Sequence, residues 1–143
     1  MSGTDWRDVD RVALRRRAEA GETAAMYDLG VIAYYERDAE TAIRWFREAA
    51  SRGDTESMYN LAVVLSGLGR AAEAEPWHIA AAMTGDGRAM SNLAVFYNLQ
   101  DRPDSARYWY EKSQAAGYSP NDEDNTGLPN DVRSSFGEKG LPR

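Results

Sequence analysis

Trp45-Phe46-Arg47-Glu48-Ala49-Ala50-Ser51-Arg52-Gly53 is the stretch that decides the fold, because its pattern returns further along the chain. Its glycine belongs to a column, Gly21, Gly53, Gly85 and Gly117, spaced 32 residues apart. The same step relates Met26, Met58 and Met90, and then Leu29, Leu61 and Leu93. Val31, Val63 and Val95 keep it too, as do Ala42, Ala74 and Ala106, and Trp45, Trp77 and Trp109. Gly30, Ala62 and Ala94 hold one further column small. So many side chains locked to one interval mark an array of equivalent structural units.

Each unit reads as two helices. Met26, Leu29 and Ile32 fall on one face of a first helix, and Ala42, Trp45, Phe46, Ala49 and Ala50 follow helical spacing in a second. Asp38 sits where a side chain can cap the second helix, and Gly53 where a glycine can end it. In the third unit Pro103 suits a first helical position. The middle unit departs from the others: Gly67 and Gly69 loosen its turn, and Pro76 predicts a kink or late start in its second helix. The bulk of the tryptophan column points to core, whereas Trp6 lies outside that register.

The expected fold class is therefore all-α, an array of three helix-turn-helix repeats. A capping helix is expected over residues 5–20, with repeats at 22–53, 54–85 and 86–117, so that residues 1–117 form one repeat domain. The segment 118–143, with three prolines and few large apolar residues, is expected to be a mostly irregular tail, flexible or docked through Leu128, Phe136 and Leu141.

Composition narrows the function. A net charge of −6 argues against nucleic acid and anionic membranes as partners, although Arg7, Arg11, Arg15, Arg16 and Arg17 cluster near the start. Cysteine is absent, which removes disulfides, thiol nucleophiles and thiolate metal sites. The polar N-terminus does not read as a secretory signal, and no run approaches the length of a membrane span, so a cytoplasmic address is expected. Arginine outnumbers lysine 15 to 2, a bias associated with GC-rich bacterial genomes.

No catalytic constellation emerges, and the chain is not read as an enzyme; no cofactor or metal is expected. His78 is the only histidine and takes the place of Phe46 and Tyr110 in the repeat, which marks it as a packed aromatic substitute rather than a general base. Asp122-Glu123-Asp124-Asn125-Thr126-Gly127 has the start of a calcium loop, but Arg133 stands where the bidentate glutamate belongs.

Met58-Tyr59-Asn60-Leu61-Ala62-Val63-Val64 and Met26-Tyr27-Asp28-Leu29-Gly30-Val31-Ile32 resemble the first helix of a tetratricopeptide repeat. The tryptophan, paired alanines and closing glycine of the second helices are similar to Sel1-like repeats, and together the resemblance covers roughly residues 20–117. It implies a right-handed α-solenoid, and adaptors and scaffolds whose first helices line a concave wall. The groove positions on that reading are Tyr27, Asp28, Val31, Tyr34 and Tyr35 in the first unit, then Glu56, Tyr59, Asn60 and Val63 in the second. In the third they are Arg88, Asn92, Val95 and Asn98. Asn60 and Asn92 look like two rungs of the asparagine ladder with which related proteins hold a peptide backbone, since a carboxamide both donates and accepts. The same asparagines and tyrosines also suit packing within the array. The resemblance thus implies a protein or peptide partner for a monomer or weak homo-oligomer. The alternative is a structural subunit that associates through its convex or C-terminal face.

Overall fold

In the computed structural model, which describes residues 10–118, helix starts recur at the interval read from the sequence. Seven helices run in order: α1 Arg11–Glu19, α2 Thr23–Tyr35, α3 Ala39–Ser51, α4 Thr55–Gly67, α5 Ala71–Ala82, α6 Gly87–Leu99 and α7 Pro103–Ala115. Among the described residues there is no strand. The first helices of the three hairpins thus begin at 23, 55 and 87, and the second helices at 39, 71 and 103. This is the all-α array of helix-turn-helix repeats behind a lone helix that the sequence predicts. Expectations for residues 1–9 and 119–143, including Trp6, the calcium-loop stretch and the anchors Leu128, Phe136 and Leu141, lie outside the described residues.

Short polar side chains set the helix starts. Asp10 accepts from the Ala13 amide at 3.1 Å and caps α1, which opens at Arg11, inside the expected span 5–20. Asp38 accepts from the Thr41 amide at 3.2 Å, as the sequence predicts, and Asp86 from the Arg88 amide at 2.9 Å. Each cap satisfies a donor that a first helical turn leaves without a partner. Pro103 opens α7, where its missing N–H costs nothing. The hairpins end on glycine for a backbone reason: Gly53 adopts φ +93°, and the next amide, of Asp54, reaches back to the Ala49 carbonyl at 3.1 Å. The expected late start at Pro76 does not occur. α5 begins at Ala71, in step with the other second helices, and carries Pro76 inside it; a single proline removes one hydrogen bond while the flanking turns hold.

The described residues divide into two compact units at Leu61–Ala62, within α4. In the first, α2 packs on both α1 and α3. Its core holds Leu14, Met26, Leu29, Ile32, Ile43, Trp45 and Phe46, all buried. The small column is explained here: a Cβ on Gly30 would stand 2.6 Å from two carbons of the Phe46 ring, so the glycine is what lets that ring seat. In the second unit α6 packs on α5 and α7 around Leu65, Ala74, Leu93, Ala94, Phe96 and Ala106. Tyr97 donates its hydroxyl to Glu75 Oε1 at 2.9 Å, and Arg102 Nη1 reaches the same oxygen at 3.0 Å, tying α5 to α6 and to the turn before α7. The tryptophan column is core in part only. Trp45 is buried, whereas Trp77 and Trp109 are half-buried.

Candidate functional site

The groove positions of the first unit do not form an open wall. Tyr27, Asp28 and Tyr34 are half-buried, but Val31 is fully buried and Tyr35 is 4% exposed. The cause is local: α2 buries 8 of its 13 residues, which leaves a narrower free strip than two whole faces would give. Tyr27 is spent partly on the core, its ring 6.0 Å from that of Phe46. Burial pushes the Asp28 carboxyl above its ordinary value, with the Arg17 guanidinium opposing. Burial also raises the Tyr34 hydroxyl, and that of Tyr35 with the neighbouring Tyr34 adding to it.

Along α4 the departure from expectation is larger. Glu56 is half-buried, but Tyr59 is 6% exposed and Asn60 not exposed at all. Ser57, Tyr59, Asn60, Leu61, Ala62, Val64 and Leu65 are all buried, and at 100° per residue they point in nearly every direction around the helix. An asparagine in that setting is part of the packing, so Asn60 presents no rung to a ligand.

The second unit is different. Arg88, Asn92, Val95 and Leu99 recur at i, i+4, i+7 and i+11, so they form one stripe along α6. Arg88 and Asn92 are half-buried, while Val95 is 47% and Leu99 79% exposed. Asn98 is exposed beside them. The stripe borders a pocket of about 230 Å³ lined by Val63, Ser66, Gly67, His78, Asn92, Val95, Phe96 and Leu99. Sequence explains the opening. Ser66 and Gly67 take the places that Tyr34 and Tyr35 hold one repeat earlier, so two rings are missing. A Cβ on Gly67 would meet nothing within 4 Å.

The pocket floor is polar at one point. His78 is 4% exposed, its Nε2 2.8 Å from Ser66 Oγ and its ring centroid 4.8 Å from that of Phe96. Burial lowers its pKa to about 4, against the opposing pull of Glu75, so the imidazole is neutral at neutral pH. A neutral buried histidine held by a serine and an aromatic ring is packing, as its place in the Phe46 column predicts. The sequence reading placed Val63, Asn92 and Val95 at groove positions, but it singled out neither the pocket nor Phe96. The available signal was the pair of absent tyrosines.

Among the described residues no group of three or more His, Asp or Glu side chains is gathered to hold a metal ion. None of the described helices is long and apolar enough to cross a membrane. On α7, Tyr108 and Tyr110 are 52% and 40% exposed, although Tyr110 stands in the column of the sealed Phe46.

Comparison with known proteins gives a family match over part of the chain and a fold. Residues 55–82 and 87–113 match the family described as Tetratricopeptide repeat. No curated protein matches the sequence. Two crystal forms of MamA AMB-1 are similar in structure, both 20% identical, with TM-scores of 0.61 and 0.59. The match covers 75% and 74% of this chain and 67% and 66% of theirs. YrrB, titled a TPR protein with an unusual peptide-binding site, is 19% identical with a TM-score of 0.62 over 78% of this chain and 60% of its own. The chain thus spans about two thirds of the length of these neighbours.

Proposed function

We propose that this chain is a protein-interaction module of the tetratricopeptide repeat type that receives a peptide or partner segment along α6. The observation that carries the reading is the stripe Asn92, Val95 and Leu99 beside a pocket with apolar walls. Leu99, 79% exposed, and Val95, 47% exposed, together set a small apolar patch on one helix beside the pocket. Asn92 supplies one carboxamide that can donate to and accept from a peptide backbone, while Val63, Val95 and Phe96 offer apolar contact. No charged side chain lines the pocket, so the preferred insert is an aliphatic or aromatic residue. The peptide-binding site named for YrrB supports the class of ligand, though not its identity. In the first unit, Tyr27, Asp28 and Tyr34 are the groove positions left with accessible surface.

Panning a displayed library of random peptides against the folded protein tests the reading. Wild type is expected to enrich sequences sharing an aliphatic or aromatic residue, and Asn92→Ala combined with Leu99→Asp to lose them at an unchanged melting temperature. Equal enrichment by both proteins would sink it.

A second reading, a structural subunit, is favoured by Tyr108 and Tyr110, exposed on α7. It expects a molar mass that rises with concentration in light scattering and reverts to monomer on Tyr108→Ser with Tyr110→Ser. A concentration-independent monomer removes it.

A further inference from the structure

A larger cavity lies in the first unit, where α1 meets α2 and the start of α3. It measures about 630 Å³, and every residue that lines it falls between Arg11 and Trp45. Leu29, Ile32, Ala33 and Trp45 give it apolar walls, and Val12, 64% exposed, adds an apolar edge from α1. The rest of the rim is charged: Arg11, Arg15 and Arg16 stand against Glu19, Glu36 and Asp38. We infer that this cavity binds an acidic segment of a partner protein, seating one apolar side chain against its walls and pairing the flanking carboxylates with Arg15 and Arg16.

Formal charge does not give the sign of the site, because three cations face three anions. Local pairing decides it. Arg11 Nη1 holds Glu36 Oε1 at 2.5 Å, so that pair is closed. Asp38 accepts from the Thr41 amide at 3.2 Å and from the Thr41 hydroxyl at 2.7 Å. Those bonds commit its carboxylate to capping α3 and hold its pKa below the ordinary value. Among the described residues Arg15, Arg16 and Glu19 have no ion-pair partner. Two uncommitted cations therefore face one uncommitted carboxylate. A guanidinium takes a carboxylate in two parallel hydrogen bonds, while its stem lies along apolar surface and leaves the head free. A segment with an apolar residue between carboxylates satisfies both features of this rim. The chain as a whole carries a charge of −6, so a local excess of cations orients an acidic partner as well as attracting it. The apolar walls favour a peptide over a phosphate backbone. No charged side chain lines the α6 pocket, so the two places select different chemistry and this inference does not rest on that one.

Fluorescence polarisation on the full chain tests it, with a short labelled peptide of glutamates around a leucine pair. The same peptide with each glutamate replaced by glutamine is the control. The glutamate peptide is expected to bind, and the glutamine peptide to bind at least roughly tenfold more weakly. Arg15→Gln with Arg16→Gln should cost the glutamate peptide a similar factor at an unchanged melting temperature, since both side chains are exposed. Glu19→Gln should tighten binding by roughly twofold, a gain that a merely structural rim would not give. Methyl resonances of Val12, Leu29 and Ile32 are expected to shift on titration, and those of Val95 and Leu99 to stay. These last two measurements decide the matter if the double arginine variant melts early. Leu99→Asp should leave the affinity as it is, so a failure of the α6 reading and a failure here are told apart. No binding of the glutamate peptide, equal binding of the glutamine peptide, or shifts at Val95 and Leu99 alone overturns the inference. So does a labelled single-stranded oligonucleotide that binds more tightly than the peptide and loses its affinity with the two arginines, which would assign the rim to phosphate.

Discussion

The hairpins α2–α3 and α4–α5 are built to one repeat plan and end with opposite surfaces. In the first, Tyr34 and Tyr35 close α2, and Phe46 is seated against Gly30 with nothing to spare. In the second, His78 replaces the phenylalanine, and Ser66-Gly67 replaces the tyrosines that would border it, leaving a pocket of about 230 Å³. Backbone spacing is the same, so the difference lies in side-chain volume. A repeat fixes where helices go, and the departures from its consensus fix where a ligand can enter.

Truncating the seated ring should have the largest effect. Phe46→Ala removes a fully buried ring whose neighbours are tightly packed, and is expected to destabilise the protein by about 3–5 kcal/mol in urea unfolding. A loss under about 1 kcal/mol would mean that the first hairpin is as loosely filled as the second. The counterpart in the second unit responds to pH instead. His78 titrates near 4 when folded against 6.5 when free, so the unfolded chain binds more protons between those values. Stability is complete above pH 6.5 and falls as pH drops toward 4, by roughly 3 kcal/mol if His78 acts alone. His78→Phe, the residue type of the first hairpin, should flatten that part of the pH profile, and an unaltered slope would show that other groups cause it.

Close packing around Gly30 predicts the next effect. Gly30→Ala puts a methyl group 2.6 Å from the Phe46 ring and should cost about 1–3 kcal/mol, despite the better helix propensity of alanine. Combining it with Phe46→Ala should abolish that cost, which a double-mutant cycle reads directly. Additive losses would show that the contact is not what keeps the column small.

These cases also show how much was legible in the sequence. The number of helices, their 32-residue step, the caps Asp38 and Pro103 and the glycine stops were readable, because each rests on local chemistry repeated several times. Which face of each first helix stays open was not readable. Val31 and Val95 share a column, yet one is fully buried and the other 47% exposed. Asn60 and Asn92 share another, and only Asn92 keeps accessible surface. Column identity reports equivalent backbone places, whereas exposure depends on what neighbours pack there. The pocket was half legible: Ser66 and Gly67 break the tyrosine columns, but Phe96 stands in the apolar column of Ile32 and Val64, which signals burial and not a pocket wall.

A smaller difference lies in the turns. Arg37 between α2 and α3 has φ +60°, whereas Gly69 between α4 and α5 adopts φ +75° at the equivalent place. A left-handed conformation costs a residue with a Cβ about 1 kcal/mol, so Arg37→Gly should raise stability by up to that amount and Gly69→Ala lower it similarly. Melting temperatures that fail to move in opposite directions would show that the turns are not equivalent.

The smallest effect on stability should come from the substitution that most changes the surface. Gly67 ends α4, is exposed, and would meet nothing within 4 Å on gaining a Cβ. Gly67→Tyr restores the residue type of the first unit at this place, so its ring has the vacant volume beside Val63 and Leu99 to enter. Removing a glycine from a helix end gains a few tenths of a kcal/mol, and ordering the new ring offsets part of it, leaving a net change within about 0.5 kcal/mol. Binding should respond quite differently, because a filled pocket has no room for an incoming leucine or phenylalanine. Unchanged melting with lost peptide enrichment would place function in the two missing rings, and retained enrichment would move it elsewhere along α6.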